Sequence, residues 1–521
     1  MTPQDHWWSA SHSYVSDILS VFAAAPDSPA VNWRGETSTG GEMIRSVTDA
    51  FHALHDSGVR AGDVVAVLVA PNSPEMLTAR YAAHLLGGAV CYLRSTNPGT
   101  SEVTLPLDQQ VQILRDTAAV TVYTDAENAP RAAELAEGAG GLPVTRVTGD
   151  AGEKDRTGDA PRTAPWDPDA LALITFTSGS TGRPKGIRLA GRAYNGLVQG
   201  MVAAGGEAAG FKLLVTTPLS HTVGSMADTA LALGGVVHLH ENFNAEQFVN
   251  AVADEGIIWT FMATVHLFQL LDHLEGRGLK DVEEGRLASL QRLIYSGSAA
   301  APARIAQAVK AFGLIMVQAY GTGETGRLTT LFPHEHLDPW LSTTVGRPFP
   351  DVEVVVGDQE SGAPLATGEV GEVRVRSPYT MDGYTGDPAA SAKVLRDGWY
   401  HTGDIGYTDE HGYLHLLGRV ADVVKVNGVK VHPTVVEREL ISLAGVRHAA
   451  VYGVRDQGGG EHLHATIVCD PAVPVETDAI RAHLAQSLSG LHVPEKISVV
   501  DDLPLNDNGK PDKVRLQLLG A

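Results

Sequence analysis

The chain has 521 residues, enough for more than one domain and an ample core. Its 39 Lys and Arg against 61 Asp and Glu give a formal net charge of −22, which argues against nucleic acid or an anionic membrane as partner; solubility alone accounts for such acidity. Cys91 and Cys469 are too few for a disulfide framework, no apolar run approaches the roughly 18 residues of a membrane span, and residues 1–11 lack the charged-then-apolar pattern of a secretory leader, so a reducing, cytoplasmic setting is expected.

In chain order, the apolar run 64–69 is expected as a buried strand. Ser73 followed by Pro74 has the form of a helix start, with the serine as cap and the proline in the first turn. That helix should stop at Gly87-Gly88, and 89–93 should be the next strand. Residues 126–165, rich in Ala, Gly, Asp and Glu, read as a surface excursion, and 170–176 as a further strand. The same beat recurs where a helix should end at Gly234-Gly235 and a strand should follow at 236–239. Alternation of this kind argues for βαβ units and a mostly parallel sheet. Between 352 and 375 the pattern turns to short alternating strands, a small β subdomain. From about Arg419 the chain restarts with strands, a helix near 435–443 and more strands, a stretch the size of a small domain. The expected fold class is α/β: a large N-terminal domain, 1–418, of βαβ sheets plus a small β subdomain, followed by a small α+β C-terminal domain, 419–521. No internal repeat is visible.

The strand at 170–176 runs into Thr177, Ser178, Gly179, Ser180, Thr181, Gly182, Arg183, Pro184, Lys185 and Gly186. Such a loop can wrap backbone N–H groups and hydroxyls around phosphate oxygens, because glycine lets the backbone approach closely. It is not a Walker loop, whose spacing needs glycine where Pro184 stands. The decapeptide resembles the phosphate loop of the acyl-adenylate-forming superfamily, which holds acyl- and aryl-CoA synthetases, luciferases and peptide-synthetase adenylation domains. Further segments resemble the same superfamily, in the same order, across nearly the whole chain.

The resemblance implies a role for each. In 295–302 (Tyr-Ser-Gly-Ser-Ala-Ala-Ala-Pro), Ser298 and Ala299 would lie along the adenine. In 318–324 (Gln-Ala-Tyr-Gly-Thr-Gly-Glu), Tyr320 would stack on that ring beside Gly321 and Thr322, and Glu324, with Thr177, would hold the Mg²⁺ that travels with ATP. Gly323 departs from the superfamily's usual threonine, leaving Thr322 or Thr325 to supply a hydroxyl to the α-phosphate. Asp404, in Tyr-His-Thr-Gly-Asp, would accept from both ribose hydroxyls. The segment 418–430 resembles the junction between the two domains: Arg419 would contact ribose or phosphates, Lys425 would be a cofactor-binding residue, and Gly428 and Lys430 would sit near the pantetheine path during thioester formation. Ala421 stands at the hinge where Asp or Lys is usual, with Asp422 next. Lys510, in Leu-Pro-Leu-Asn-Asp-Asn-Gly-Lys, would neutralise charge building between substrate carboxylate and α-phosphate. His221 occupies the position at which acyl- and aryl-CoA ligases carry a histidine or large aromatic; it would gate the carboxylate pocket or hydrogen-bond the carboxylate. Thr222 follows, where relatives that activate α-amino acids place an aspartate, so an α-amino acid is disfavoured.

What the resemblance implies is an ATP- and Mg²⁺-dependent acid:CoA ligase. It would form an acyl-adenylate from an apolar aliphatic or aromatic acid and pass the acyl group to the thiol of CoA, with a mobile small domain reorienting between the halves. Three alternatives stay open: loading of an acyl carrier protein, an offshoot activating an unusual anion such as nitrite to diazotise an aryl amine, and a non-catalytic nucleotide binder. Gly321, Gly323 and Gly326 also spell a dinucleotide fingerprint, but no helical stripe opens after them. His334, His336, His462 and His464 lack a third ligand at helical or hairpin spacing and read as solvated.

Overall fold

A computed structural model describes residues 6–8, 13–93, 105–146, 162–177, 185–204, 210–298, 300–359, 361–456, 459–470, 472–473, 475–504 and 511–520. The run Val64–Leu68 lies inside a sheet of seven strands among the described residues. Ala89–Tyr92 and Ala119–Thr124 flank it in parallel, and Leu171–Thr177 continues the parallel run beyond Ala89–Tyr92. Every residue of Val64–Leu68 and of Ala89–Tyr92 is buried, the unbroken apolar run of a strand covered on both faces. Beyond Leu171–Thr177 the chain reverses into Lys185–Ala190, with Thr177 opposite Lys185.

A second sheet, of nine strands among the described residues, centres on Trp259–Ala263 between Lys212–Val215 and Arg292–Ser296, all parallel. Met316–Thr322 joins it in parallel and turns straight back as the antiparallel Gly326–Leu331. The glycines at 321–326 therefore sit in a tight hairpin, not before a helix, which removes the dinucleotide reading. A Cβ at Gly321 would stand 2.2 Å from the carbonyl oxygen of Gly326, so the two strands close only on glycine.

One apolar core joins the sheets. Val65 and Val67 of the first share it with Leu213 and Val237 of the second, through Leu77 of the helix Pro74–Leu85 and Leu231 of the helix Thr222–Ala232. Inside it Arg80 and Asp228 are fully buried. Arg80 Nη2 donates to both carboxylate oxygens at 2.6 and 2.8 Å, and Nη1 donates to the Tyr92 hydroxyl at 3.1 Å. The hydroxyls of Tyr81 and Tyr194 donate to the same carboxylate at 2.6 and 2.7 Å.

Two local expectations change. Ser73 precedes the helix at Pro74 as expected, but its side chain does not cap; its hydroxyl is buried without a partner. Residues 126–165 are not simply an excursion. Ala129–Gly138 is a helix whose Ala132 and Leu135 are fully buried, and Val144–Arg146 is the edge strand beside Ala119–Thr124. The alanine-rich composition belongs to a helix laid on a sheet.

The small β subdomain pairs Glu353–Gly357, Gly371–Arg376 and Trp399–Thr408 in antiparallel order, and Leu414–Arg419 lies along Trp399–Thr408. The C-terminal domain has its own core, built on Val431, Val436, Leu440, Val451 and Leu463. Val446–Arg455 pairs antiparallel with Glu461–Cys469, which runs parallel to Lys496–Val500. Its first hairpin, Val424–Val426 with Val429–Val431, turns on Asn427-Gly428 at φ 50° and 82°, the positive values that Asn-Gly supplies in a two-residue turn. Among the described residues no helix is long and apolar enough to cross a membrane.

Asp228→Ala is expected to leave the Arg80 guanidinium charged and uncompensated in the core, destabilising the large domain by about 3–5 kcal/mol, read as a lowered urea midpoint. Burial also holds the imidazoles of His84 and His266 down to about 4, so both are neutral in the fold, whereas unfolded they titrate near about 6.5. Between those values the unfolded chain takes up protons that the native state refuses, and stability falls as pH drops. The urea midpoint is expected to be lower at pH 5 than at pH 7.

Candidate active site

Four elements converge on one cleft of about 2510 Å³. The Gly321–Gly326 hairpin brings Tyr320, Thr322 and Glu324. His221, in extended backbone, stands at the N-terminal boundary of the helix Thr222–Ala232, with no side-chain cap. The pairing of Trp399–Thr408 with Leu414–Arg419 sets Asp404 directly opposite Arg419. Ser298, at the end of Arg292–Ser296, is exposed on the rim, where its carbonyl accepts from Thr264 Oγ1 at 3.1 Å.

Tyr320 and Asp404, 84 positions apart, meet: the phenol donates to Asp404 Oδ2 at 2.5 Å. Arg419 Nε donates to Oδ1 at 3.1 Å. Each carboxylate oxygen thus has one donor, and since a carboxylate offers about four lone-pair sites, each oxygen keeps room for a hydroxyl of a vicinal diol. Burial, then the Asp404 charge, pushes the Tyr320 phenol well above its ordinary value, so it stays a donor. Burial alone would lower Arg419, but the Asp404 carboxylate outweighs it and holds the guanidinium above its usual range.

Glu324 is steadied by a residue that the sequence reading missed. Tyr384 donates to Glu324 Oε1 at 2.9 Å, and Lys185 Nζ lies 5.3 Å from the centre of the Tyr384 ring. Burial, then Glu324 itself, raises the Tyr384 phenol, which therefore remains neutral. A carboxylate held on one oxygen by a neutral donor leaves its other oxygen for a hard cation, so this side chain fits Mg²⁺. Nothing in the spacing announces Tyr384, which follows Glu324 by 60 positions.

Thr322 lines the cleft, whereas Thr325 is fully buried beneath it, with their hydroxyls 2.9 Å apart. Of the two, Thr322 is the hydroxyl presented to a ligand. Ala421 and Asp422 both line the cleft on the short turn Val420–Asp422. The hairpin residues Lys425, Gly428 and Lys430 are exposed. Thr177 ends its strand, while Ser178, Gly179, Ser180, Thr181, Gly182, Ala299 and Lys510 lie outside the described residues. A second missed residue is Thr175, buried, with its hydroxyl 3.1 Å from His221 Nδ1.

The cleft continues into a recess walled by Leu197, Met201, Phe211, Met226, Trp259 and Phe261. Two cations line the cleft at this end: Arg292 lies over the Trp259 ring, 4.7 Å from its centre, and Arg327 is engaged by the Tyr379 hydroxyl at 3.0 Å and by Asp351 at 3.2 Å. Away from the cleft, His336 is not solvated as expected: it is buried, between the Tyr295 hydroxyl at 3.0 Å and the Phe332 carbonyl at 2.8 Å.

The family model of AMP-binding enzymes matches residues 20–385, and that of the AMP-binding enzyme C-terminal domain matches 435–510. This chain belongs to the AMP-binding enzymes. It is an AMP-forming ligase of the acyl-adenylate-forming superfamily. It is 34% identical over 494 residues to a feruloyl-CoA synthase of Amycolatopsis sp, covering 93% of this chain and 94% of that protein. It is 29% identical over 493 residues to the fatty acid–[acyl-carrier-protein] ligase ScoC of Streptomyces coeruleorubidus, covering 93% and 92%. Among solved structures, the amide bond synthetase McbA from Marinactinospora thermotolerans superposes with a TM-score of 0.85 at 32% identity, covering 98% of this chain and 99% of that one.

In this AMP-binding enzyme, Tyr320→Phe keeps the ring but removes the donor to Asp404. It is expected to raise the KM for ATP about tenfold, the equivalent of one charge-assisted hydrogen bond of roughly 1.4 kcal/mol, with Asp404→Ala costing more. Initial-rate kinetics against ATP concentration check both.

Proposed function

We propose that this enzyme activates a carboxylic acid with an apolar, aromatic or aliphatic, body as its acyl-adenylate and transfers the acyl group to the thiol of CoA. The observation that carries this reading is the continuity of one cleft: the Asp404–Tyr320–Arg419 cluster, the Glu324 carboxylate and the apolar recess open into each other. A nucleotide ribose on Asp404 and an acid whose body fills the recess would bring a carboxylate and an α-phosphate together near Thr322. Adenylation needs no protein nucleophile, so positioning and charge neutralisation supply the rate. Asp404 and Tyr320 would fix the nucleoside, Thr322 would donate to the α-phosphate, and Lys510 would neutralise the reacting oxygens. Mg²⁺, held by Glu324 and Thr177, would supply charge neutralisation on the phosphates. The small domain beginning near Arg419 would reorient for the second half.

A second acceptor is favoured by a specific observation. The likeness to McbA spans essentially both chains at 32% identity. An amide bond forms when an amine nitrogen attacks the activated acyl carbon, so a primary amine is the rival to CoA. The likeness to ScoC keeps a carrier-protein thiol as a third.

The test is pyrophosphate release with ATP and Mg²⁺ over aromatic and short- to long-chain acids, with CoA, a primary amine or neither, and products read by mass spectrometry. Acyl-CoA is expected. Amide without thioester would move the acceptor to nitrogen, and absence of acid-dependent pyrophosphate would overturn the reading. Lys510→Ala is expected to abolish adenylation yet leave transfer from supplied acyl-adenylate largely intact; equal loss of both halves would remove its assigned role.

A further inference from the structure

We propose that the acid this enzyme activates is an extended α,ω-dicarboxylic acid of about ten carbons, and that Arg292, seated on the ring of Trp259, receives its second carboxylate; this rests on the function proposed above. Strand alternation decides which side chains face the cleft. On Trp259–Ala263 it is lined by Trp259, Phe261 and Ala263, while Met262 turns to the core on the other side. On Arg292–Ser296 it is lined by Arg292, Ile294 and Ser296, while Leu293 and Tyr295 turn away. The strands are parallel and in register, so these residues form rungs: Ala263 with Ser296, Phe261 with Ile294, Trp259 with Arg292. The first rung adjoins Thr264 and Ser298, at the end of the cleft that carries Thr322 and Glu324. The last lies four residues further, about 13 Å along the strands.

The facing wall is helical. Leu197, Met201 and Ala204 of the helix Gly191–Ala204 line the cleft, and so do Met226, Thr229 and Leu233, along and just beyond the helix Thr222–Ala232. Each set is one helical stripe. The Thr229 hydroxyl donates to the Ser225 carbonyl at 2.7 Å, so it is taken up within its own helix. A ligand lying between the walls therefore meets mainly aliphatic and aromatic carbon. Each C–C bond of about 1.5 Å advances an extended chain by roughly 1.25 Å, so the distance between the rungs takes about ten carbons.

The far rung is built differently. Phe211 meets Trp259 edge-on at 4.8 Å, and the Arg292 guanidinium lies over the Trp259 ring, 4.7 Å from its centre. Arg292 is exposed, so the recess opens to water at this end as well. Among the described residues no carboxylate pairs with its guanidinium, whereas Arg327 already has Asp351. A guanidinium on an aromatic face keeps its edge open, and that edge is a fork of donors that matches a carboxylate. A dicarboxylic acid would set one carboxylate near Thr322 and the other on Arg292, both within reach of water. Only its methylenes are desolvated, which is the favourable part of the transfer.

The test is the kcat/KM of acid-dependent pyrophosphate release, with CoA, over mono- and dicarboxylic acids of six to fourteen carbons, with cinnamic acid in the panel. Decanedioate is expected to exceed decanoate about tenfold, as a charge-assisted hydrogen bond at an exposed site allows, and the dicarboxylate series to peak near ten carbons. Arg292→Gln is expected to lower the decanedioate-to-decanoate ratio about tenfold, and Arg292→Glu to turn the preference toward ω-aminodecanoate. A ratio does not depend on the fraction of enzyme that folds. A wild-type ratio near one, an optimum at either end of the series, a ratio unmoved by Arg292→Gln, or turnover confined to cinnamic acid would each overturn the proposal. Absence of pyrophosphate release with every acid would instead overturn the function on which it rests.

Discussion

The structure depends on a buried charge pair. Arg80 and Asp228 lie 148 positions apart, on helices sandwiched in the core between the two large sheets, and neither is exposed to water. Desolvating two charges is expensive, and their attraction offsets it only with good geometry and satisfied hydrogen bonds. Here the guanidinium reaches both carboxylate oxygens, and Tyr81, Tyr92 and Tyr194 take most of the rest, though Arg80 Nε has no partner. Non-directional apolar packing would tolerate a helix slid or rotated by part of a turn; this pair does not. It ties the helix Thr222–Ala232, whose first turn begins at His221, to the helix behind the first sheet. The direction in which His221 enters the cleft is thus fixed from the protein's centre.

Much of the site was legible because phosphate, ribose and cation recognition demands particular residue types at short spacing. Tyr320, Glu324, Asp404, Arg419 and His221 were each nameable from a local segment, and they meet at one cleft. The pairing of Tyr320 with Asp404, and of Asp404 with Arg419, was not legible, since each motif was read as serving the ligand directly. The structure adds that the motif residues also serve each other. Tyr384 and Thr175 were invisible for a related reason: their importance lies in one hydrogen bond to a distant partner, with no composition or period to mark it.

The fold was legible where periodicity is strong and misread where composition misled. The parallel strands Val64–Leu68 and Ala89–Tyr92 are unbroken apolar runs, and the glycines at 87 and 234 adopt positive φ just after their helices. Ser73 shows the limit of a capping rule: the residue type was right and the position was right, yet its hydroxyl is buried out of reach of the helix's first amides. The Ala129–Gly138 helix shows the opposite error, an amphipathic element whose small residues disguised a buried face.

Tyr384 carries a consequence for the energetics of the cleft. Its backbone, in Gly383–Tyr384, adds to the first sheet along Lys185–Ala190, while its hydroxyl holds Glu324 on the hairpin of the second sheet. The strand Lys185–Ala190 and the Glu324 carboxylate are therefore one preassembled frame, linked through the Tyr384 phenol and through the Met381 amide, which donates to the Glu324 carbonyl at 2.7 Å. The entropy of bringing two sheets into mutual alignment is lost during folding, not when a nucleotide arrives. Binding energy is left for the transition state, where a preorganised site gains most.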